Sequence, residues 1–406
     1  MNHLEEIARA RAHILRIAEP EDPIVNLAID SLGPIATADL LSGHTDINSS
    51  SWQELLVTQL EKKTSSAEQH QIIQRLKDRV KRWNGRAHMI TSDQEEKMAR
   101  SLDAWFCIPE HHDRPKQLND LPGTRPYGIW GRRDRALLKD LRLNQAVAVV
   151  GSRDITQYGT SVAGQLAAEL TQAGFSVVSG GAFGVDAVAH RAALSTAGSP
   201  LPTVALMACG VDRLYPKHND VLLGQIIEQG LLLSEVPLGY APTRWRFLQR
   251  NRMIAALSAL TVVVEARWRS GALNTAHHAL EIGREVRAVP GSVFSPNSQG
   301  CHKLLRDGLA TVVTDSQEII DDVRGTFSET PEQMSASGSS KFPLPEDLSE
   351  IQARVWDSLP LRSPAPIDHI SSMSGVSLRE TMRALSQLSS LGLARQQDSL
   401  WHKVKK

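Results

Sequence analysis

The sequence predicts an α/β protein centred on a doubly wound, mostly parallel sheet, with a helical segment before it and a small helix and hairpin unit after it. Three observations carry this prediction. From about residue 146 to 325, short apolar runs alternate with helical-period segments, the pattern of a parallel sheet with crossover helices. The runs are rich in β-branched residues and lack polar alternation, as suits strands buried on both faces. Each run also stops at glycine or polar residues, which should gather along one edge of the sheet.

The first unit, VAVVGSRDITQYGTSVAGQLAAELTQAGFSVVSGG (147–181), sets the frame. Val147 to Val150 reads as a strand ending at Gly151-Ser152-Arg153. A helix is predicted from about Ser161 to Ala173, with Val162, Leu166 and Leu170 on one stripe and Gly174 as its C-cap. Phe175 to Ser179 is the second strand, ending at Gly180-Gly181. A right-handed βαβ crossover puts both glycine turns at the carboxyl edge, where open α/β sheets bind ligands. Further strands are predicted at 203–208, 230–234, 261–265, 286–289 and 310–313. Helices are predicted at about 185–196, 219–228, 250–259, 272–282, 300–307 and 316–323.

Residues 1–85 read as a helical domain. Leu4, Ile7, Ala8, Ala12 and Leu15 recur at helical spacing, Gly33-Pro34 marks a turn, and Leu55, Leu56, Leu60, Ile72, Ile73 and Leu76 are candidate core positions. Residues 86–145 are rich in proline and turn residues and read as a connector with one or two strands, such as Tyr127 to Trp130, that extend the core sheet. The core itself spans 146–325. Residues 326–349, rich in Ser, Pro and Glu, read as a flexible linker. In 350–406, helices at 350–359, 366–372 and 377–391 precede a hairpin at 393–404, the order of a winged helix-turn-helix. Its third helix carries Arg379 and Arg383 beside Glu380, compatible with duplex DNA or with a protein partner.

Lys plus Arg and Asp plus Glu are both 45, so global charge selects no acidic or basic partner. Three well-separated cysteines fit a reducing compartment rather than a disulfide framework. The N-terminus lacks the apolar core of a signal peptide, and the most apolar run, about 255–264, is too short to span a bilayer. A cytoplasmic protein with no membrane association is expected.

The chemistry of the sheet edge suggests phosphate. Gly151 allows close backbone approach, Ser152 offers a hydroxyl and Arg153 a guanidinium fork, backed by helix N-termini. The phosphate-loop pattern is absent, and Gly180 to Gly184 only loosely resembles a dinucleotide turn. Between 244 and 287, eight arginines face three glutamates, and TRWRFLQRNR interleaves arginine with Trp245 and Phe247 in a predicted strand-to-helix loop. Cations with flat rings suit single-stranded nucleic acid; a solvated helix face is the alternative. Catalysis is a second reading. Asp186 and His190, four residues apart on one helix, are close enough to interact, and the structural alternative has Asp186 ordering the Gly184 turn with His190 as its partner. Glu235 and Glu265, placed at the ends of neighbouring strands, offer an acid–base pair for an enzyme acting on a nucleotide or nucleoside monophosphate. No zinc, phosphate-loop or serine-elbow motif and no activated cysteine is present, so no metal or cofactor is expected.

The run from about Trp130 to Asp315 resembles the DNA-processing protein A family, also called DprA or Smf. The similarity lies in VAVVGSRDITQYG, SGGAFGVDAVAHRAAL, TVALMACGVDRLYPKHN, GLLLSEVPLG, QRNRMIAALSALTVVVEA, SGALNTAHHALEIGREVRAVPG and GCHKLLRDGLA. The resemblance implies a Rossmann-like core preceded by a helical domain of sterile-alpha-motif (SAM-like) type and followed by a winged helix. It implies a non-enzymatic single-stranded DNA binder that protects incoming DNA and helps load RecA recombinase in natural transformation, acting as a homodimer through the core. Its DNA pocket would comprise Gly151, Ser152 and Arg153; Gly180 and Gly181; Lys217; Arg250, Asn251 and Arg252 of QRNR; and Gly271 with Thr275. This chain departs from the family pattern at Phe183 and in the extended RWRFLQRNR run.

Overall fold

The computed structural model describes residues 3–46, 48–60, 65–83, 92–328, 348–360, 364–390, 393–397 and 400–404. Two units, 1–327 and 328–406, each have their own packing. The first begins with helices α1 (His3–Ile17), α2 (Pro23–Leu32), α3 (Pro34–Ser42), α4 (Ser50–Leu60) and α5 (Ser66–Trp83). The Asp22 carboxylate caps α2, accepting from the Ile24 and Val25 amides, and Arg79 of α5 donates to it at 2.6 Å. Gly33, at φ 82°, turns the chain directly from α2 into α3, a conformation that glycine adopts without a Cβ penalty. Ile14, Leu41, Trp52, Leu56 and Leu76 are buried in one cluster with Trp130, Met207 and Leu232 of the sheet, so these helices share a core with it. The side chains of Leu55 and Leu60 lie outside the described residues.

The sheet elements follow in order. They are α6 (Ser92–Ser101), β1 (Ala104–Cys107), β2 (Ile129–Arg132), β3 (Ala146–Val150), α7 (Gln157–Gln172), β4 (Ser176–Ser179), α8 (Val185–Leu194), β5 (Thr203–Leu206), α9 (Asp220–Gln229) and β6 (Leu231–Ser234). After them come α10 (Arg244–Ala256), β7 (Leu260–Val263), α11 (Gly271–Glu281), β8 (Glu285–Ala288), α12 (Gln299–Arg306), β9 (Thr311–Val312) and α13 (Ser316–Ser328). Nine strands form one sheet in the order β1-β2-β6-β5-β4-β3-β7-β8-β9. The seven strands β3 to β9 are parallel, and β2 runs antiparallel to both β1 and β6. Every residue of β3, β4, β5, β6 and β7 is buried, which is why they read as mostly apolar runs interrupted only by Ser and Thr.

Strand order runs outward from β3 in both directions, so the crevice between the carboxyl ends of β3 and β7 is the topological switch point. Here the structure corrects the sequence reading: β6 and β7, which end before Glu235 and Glu265, are separated by β5, β4 and β3. Two helices also begin earlier than the periodicity indicated. Thr156 caps α7 by accepting from the Gly159 amide at 3.1 Å, and Thr243 caps α10 by accepting from the Arg246 amide at 3.3 Å. The arginine-rich run is therefore helix rather than loop. The last core helix continues to Ser328, three residues into the predicted linker, and 329–347 lie outside the described residues.

The second unit contains α14 (Glu350–Asp357), α15 (Ile367–Ser374), α16 (Leu378–Ser390) and the antiparallel pair β10 (Ala394–Gln397) and β11 (Leu400–Lys403). A capping box of Ser349 and Gln352 starts α14, and Gly375, at φ 63°, ends α15. Val355, Trp356, Ile370, Leu385 and Leu388 form its core. Among the described residues, no helix is long and apolar enough to cross a membrane.

Candidate nucleic-acid interface

A crevice of about 640 Å³ opens at the switch point, between the turn after β3, the start of α10 and the start of α11. Its floor is a buried polar network. The Asp186 carboxylate accepts from the Gly180 amide at 3.2 Å and the Ala182 amide at 3.3 Å, which fixes the glycine turn after β4. Burial raises its pKa, opposed by the nearby Arg250 guanidinium. Arg250 is itself buried, donating through Nη1 to the Leu206 carbonyl at 2.9 Å, and desolvation holds its pKa down at about 10. A Cβ on Gly180 would collide with that guanidinium. Gly180 is therefore small to admit Arg250, and its role at the crevice is indirect. Gly151 is similar: a Cβ there would meet the Val185 side chain at 2.5 Å, so this glycine lets α8 close on β3.

His190 supports the same glycine turn from beneath, through partners other than Asp186. Its Nε2 accepts from the Gly181 amide at 3.3 Å, and its Nδ1–H donates to Thr203 Oγ1 at 2.6 Å, whose own proton goes to the Val177 carbonyl. This pattern requires neutral imidazole, and burial lowers the pKa to about 3. A depressed histidine pKa means that the unfolded chain takes up a proton below about 6.5 while the folded one does not. The contribution is thus intact above that pH and is lost as pH falls from about 6.5 toward 3, by at most about 1.4 kcal/mol per pH unit. Urea unfolding of His190→Gln should give lower stability at neutral pH but a shallower acid-side slope, by up to one proton, than the parent chain.

The walls carry charge and flat surface. Arg153 is exposed, with its guanidinium 4.9 Å from the Phe247 ring centre, and Phe247 in turn lies 5.9 Å from Tyr215. Arg244, Arg267 and Arg269 line the same opening, Arg267 with its guanidinium paired to the Asp154 carboxylate and donating through Nε to Asn297 Oδ1 at 2.7 Å. The N-terminus of α11 faces it through Gly271, Ala272 and Thr275, with Ser270 accepting from the Ala272 amide at 3.1 Å. Asn251 Nδ2 ties α10 to this terminus by donating to the Gly271 carbonyl at 3.2 Å and to Asn274 Oδ1 at 3.1 Å. The arrangement presents fixed cations and amide donors beside two rings, which suits a phosphate chain with unstacked bases.

Several expected contributors have other duties. Ser152 Oγ donates to the Asp154 carbonyl at 3.0 Å and accepts from the Asp154 amide, so its hydroxyl holds the turn. Arg252 is the clear correction: it is 1% exposed, with both Nη atoms on the Glu235 carboxylate at 2.5 and 2.7 Å and Nε on the Thr124 carbonyl. Arg246 pairs with Glu19, Arg284 with Asp120, and Arg287 with Asp322 and Glu285. Half of the eight-arginine cluster thus leaves the crevice. Lys217 is exposed on the 3-10 turn that follows Tyr215 and is not part of the lining. Gly181 lies one residue below the lining, bonded through its carbonyl to Asn219 Nδ2. Tyr215 and Asp186 belong to the crevice although the sequence reading left them out of the pocket. Glu265 accepts from the Thr156 amide and hydroxyl, and Cys107, Cys209 and Cys301 are free, buried thiols pushed up to about 11, 12 and 12 by burial.

Residues 105–324 match the sequence model of the family described as DNA recombination-mediator protein A, spanning the sheet and every wall of the crevice. The chain belongs to this family. Over 401 residues it is 37% identical to a DNA processing protein DprA of Mycobacterium tuberculosis, covering 98% of this chain and 95% of that one. Protein Smf of Escherichia coli is 36% identical over 73% of this chain and 78% of its own length. The crystal structure of DNA processing protein A from Streptococcus pneumoniae superposes with a TM-score of 0.54 at 30% identity, covering 66% of this chain and 90% of that one. In this family member, the family match and the crevice coincide: Arg153, Arg250, Phe247 and the α11 terminus all fall within the matched span.

Proposed function

We propose that the crevice holds single-stranded DNA, phosphates against Arg153, Arg244, Arg267, Arg269 and the α11 terminus, bases against Phe247 and Tyr215. The observation that carries this reading is the pairing of exposed cations with rings at the switch point, above a floor in which Asp186 accepts from the Gly180 and Ala182 amides and Arg250 donates to the Leu206 carbonyl. Gly151, Gly180, Gly181, Asn251 and Arg250 shape the site, and Lys217 lies on its approach. Family membership supports a role in DNA processing, with the finer functions being protection of incoming strands and loading of RecA during natural transformation and homologous recombination. In this reading the protein acts in the cytoplasm as a homodimer through the Rossmann-like core. The N-terminal helices serve as a SAM-like domain, and the second unit serves as a winged helix.

Fluorescence anisotropy of labelled oligothymidylate at two salt concentrations, with duplex of equal length as competitor, tests the function. Salt-sensitive binding that prefers the single strand is expected. Binding of mononucleotides alone, or their turnover, would overturn it.

A further inference from the structure

A second cavity, of about 730 Å³, lies between the loop after β1 and the segment from the 3-10 turn Arg135–Asp140 to Arg142, and shares no residue with the crevice. Five cationic side chains line it: Arg114, Lys116, Arg135, Lys139 and Arg142. The carboxylate present, Asp113, is held by both Arg135 Nε at 2.7 Å and Nη2 at 2.6 Å. In a chain with equal numbers of acidic and basic residues, this is a local excess of positive charge.

The decisive group is Arg114. It is 5% exposed, and its Nη1 donates to Asn119 Oδ1 at 2.7 Å. Its Nε and Nη2 have no hydrogen-bond partner among the described residues. A buried guanidinium with two unmet donors is costly unless an acceptor arrives. Cys107, His111 and Asp113 bring donor atoms within 4.8 Å of one another, but Asp113 is occupied by Arg135, and the neighbouring guanidiniums oppose a cation as strongly as they favour an anion.

We propose that this cavity is a binding site for a phosphate group, with Arg114 as its buried anchor and Lys139 and Arg142 at its rim. Several cations around a guanidinium fork suit a multiply charged tetrahedral anion better than a single carboxylate. The volume accommodates a nucleotide-sized ligand. The phosphate comes from a free monoester or from a polynucleotide backbone; only the latter source rests on the DNA reading above.

The test is thermal unfolding of the full chain in inorganic phosphate against sodium chloride of equal ionic strength. Phosphate should raise the midpoint by about 2 °C or more in the parent chain, and a rise should persist in the crevice variant Arg153→Ala/Arg269→Ala, which leaves this cavity intact. The rise should fall by more than half in Lys139→Glu/Arg142→Glu, whose exposed positions spare the core, and in Arg114→Gln if that variant folds. A full rise in the double charge reversal, its loss in the crevice variant, or an equal rise in chloride would overturn the site. The salt dependence of oligothymidylate binding then assigns the source: a smaller slope in Lys139→Glu/Arg142→Glu places DNA backbone here, whereas an unchanged slope leaves the free monoester.

Discussion

Arg252→Ala is expected to lower the unfolding free energy by about 3–5 kcal/mol, because it strands the Glu235 carboxylate inside the protein. Glu235 is 3% exposed, and both of its oxygens accept from Arg252, whose Nη1 also donates to the Gln249 carbonyl at 3.1 Å. The pair joins the end of β6 to α10, while Arg252 Nε reaches the Thr124 carbonyl in the segment leading to β2. Removing the guanidinium alone leaves a buried charge, whereas removing both partners in Arg252→Met/Glu235→Met should recover most of the loss. Urea unfolding measures the effect. DNA affinity, measured on the folded protein, should be unchanged; weakened binding with full stability would return Arg252 to the DNA contacts.

Arg153→Ala should weaken oligothymidylate binding by roughly ten- to a hundredfold, the loss of one charge-assisted bond of about 1.5–3 kcal/mol. Arg153 is exposed at the opening and stacks on Phe247, so its removal subtracts a cation and frees a ring while sparing the core. The loss should be uniform across sequences, and the slope of log affinity against log salt should fall by about 0.7 if one phosphate contact disappears. Titration by anisotropy at several salt concentrations gives both quantities. An unchanged affinity and slope in the folded variant would remove Arg153 from the site.

The parts of this molecule that repeat were legible in its sequence. Fully buried strands leave mostly apolar runs, and glycine or polar residues follow them, so the core sheet and its ligand edge could be read directly. Spatial order was not legible. The chain turns back between β6 and β7 to place β7 beside β3, and nothing local at Glu235 or Glu265 announces the three strands between them. Side-chain direction was also hidden. Arg250 and Arg252 stand two residues apart on α10, and so point to different sides: one lies under the crevice and the other is sealed against Glu235. Tyr215 reaches the crevice from a loop remote in sequence, and its contact with Phe247 exists only after folding. Gly151 illustrates the reverse error. Its missing Cβ looked suited to a ligand's approach and is explained by the Val185 side chain packed against it.

The most direct test of the crevice as the DNA site is photocrosslinking. Oligothymidylate carrying 5-iododeoxyuridine would be irradiated with the full chain, digested, and the adducts mapped by mass spectrometry. Adducts on Tyr215 and Phe247, abolished together by Arg153→Ala/Arg269→Ala, are the result expected here. Adducts confined to the N-terminal helices or to the second unit, insensitive to those substitutions, would contradict it.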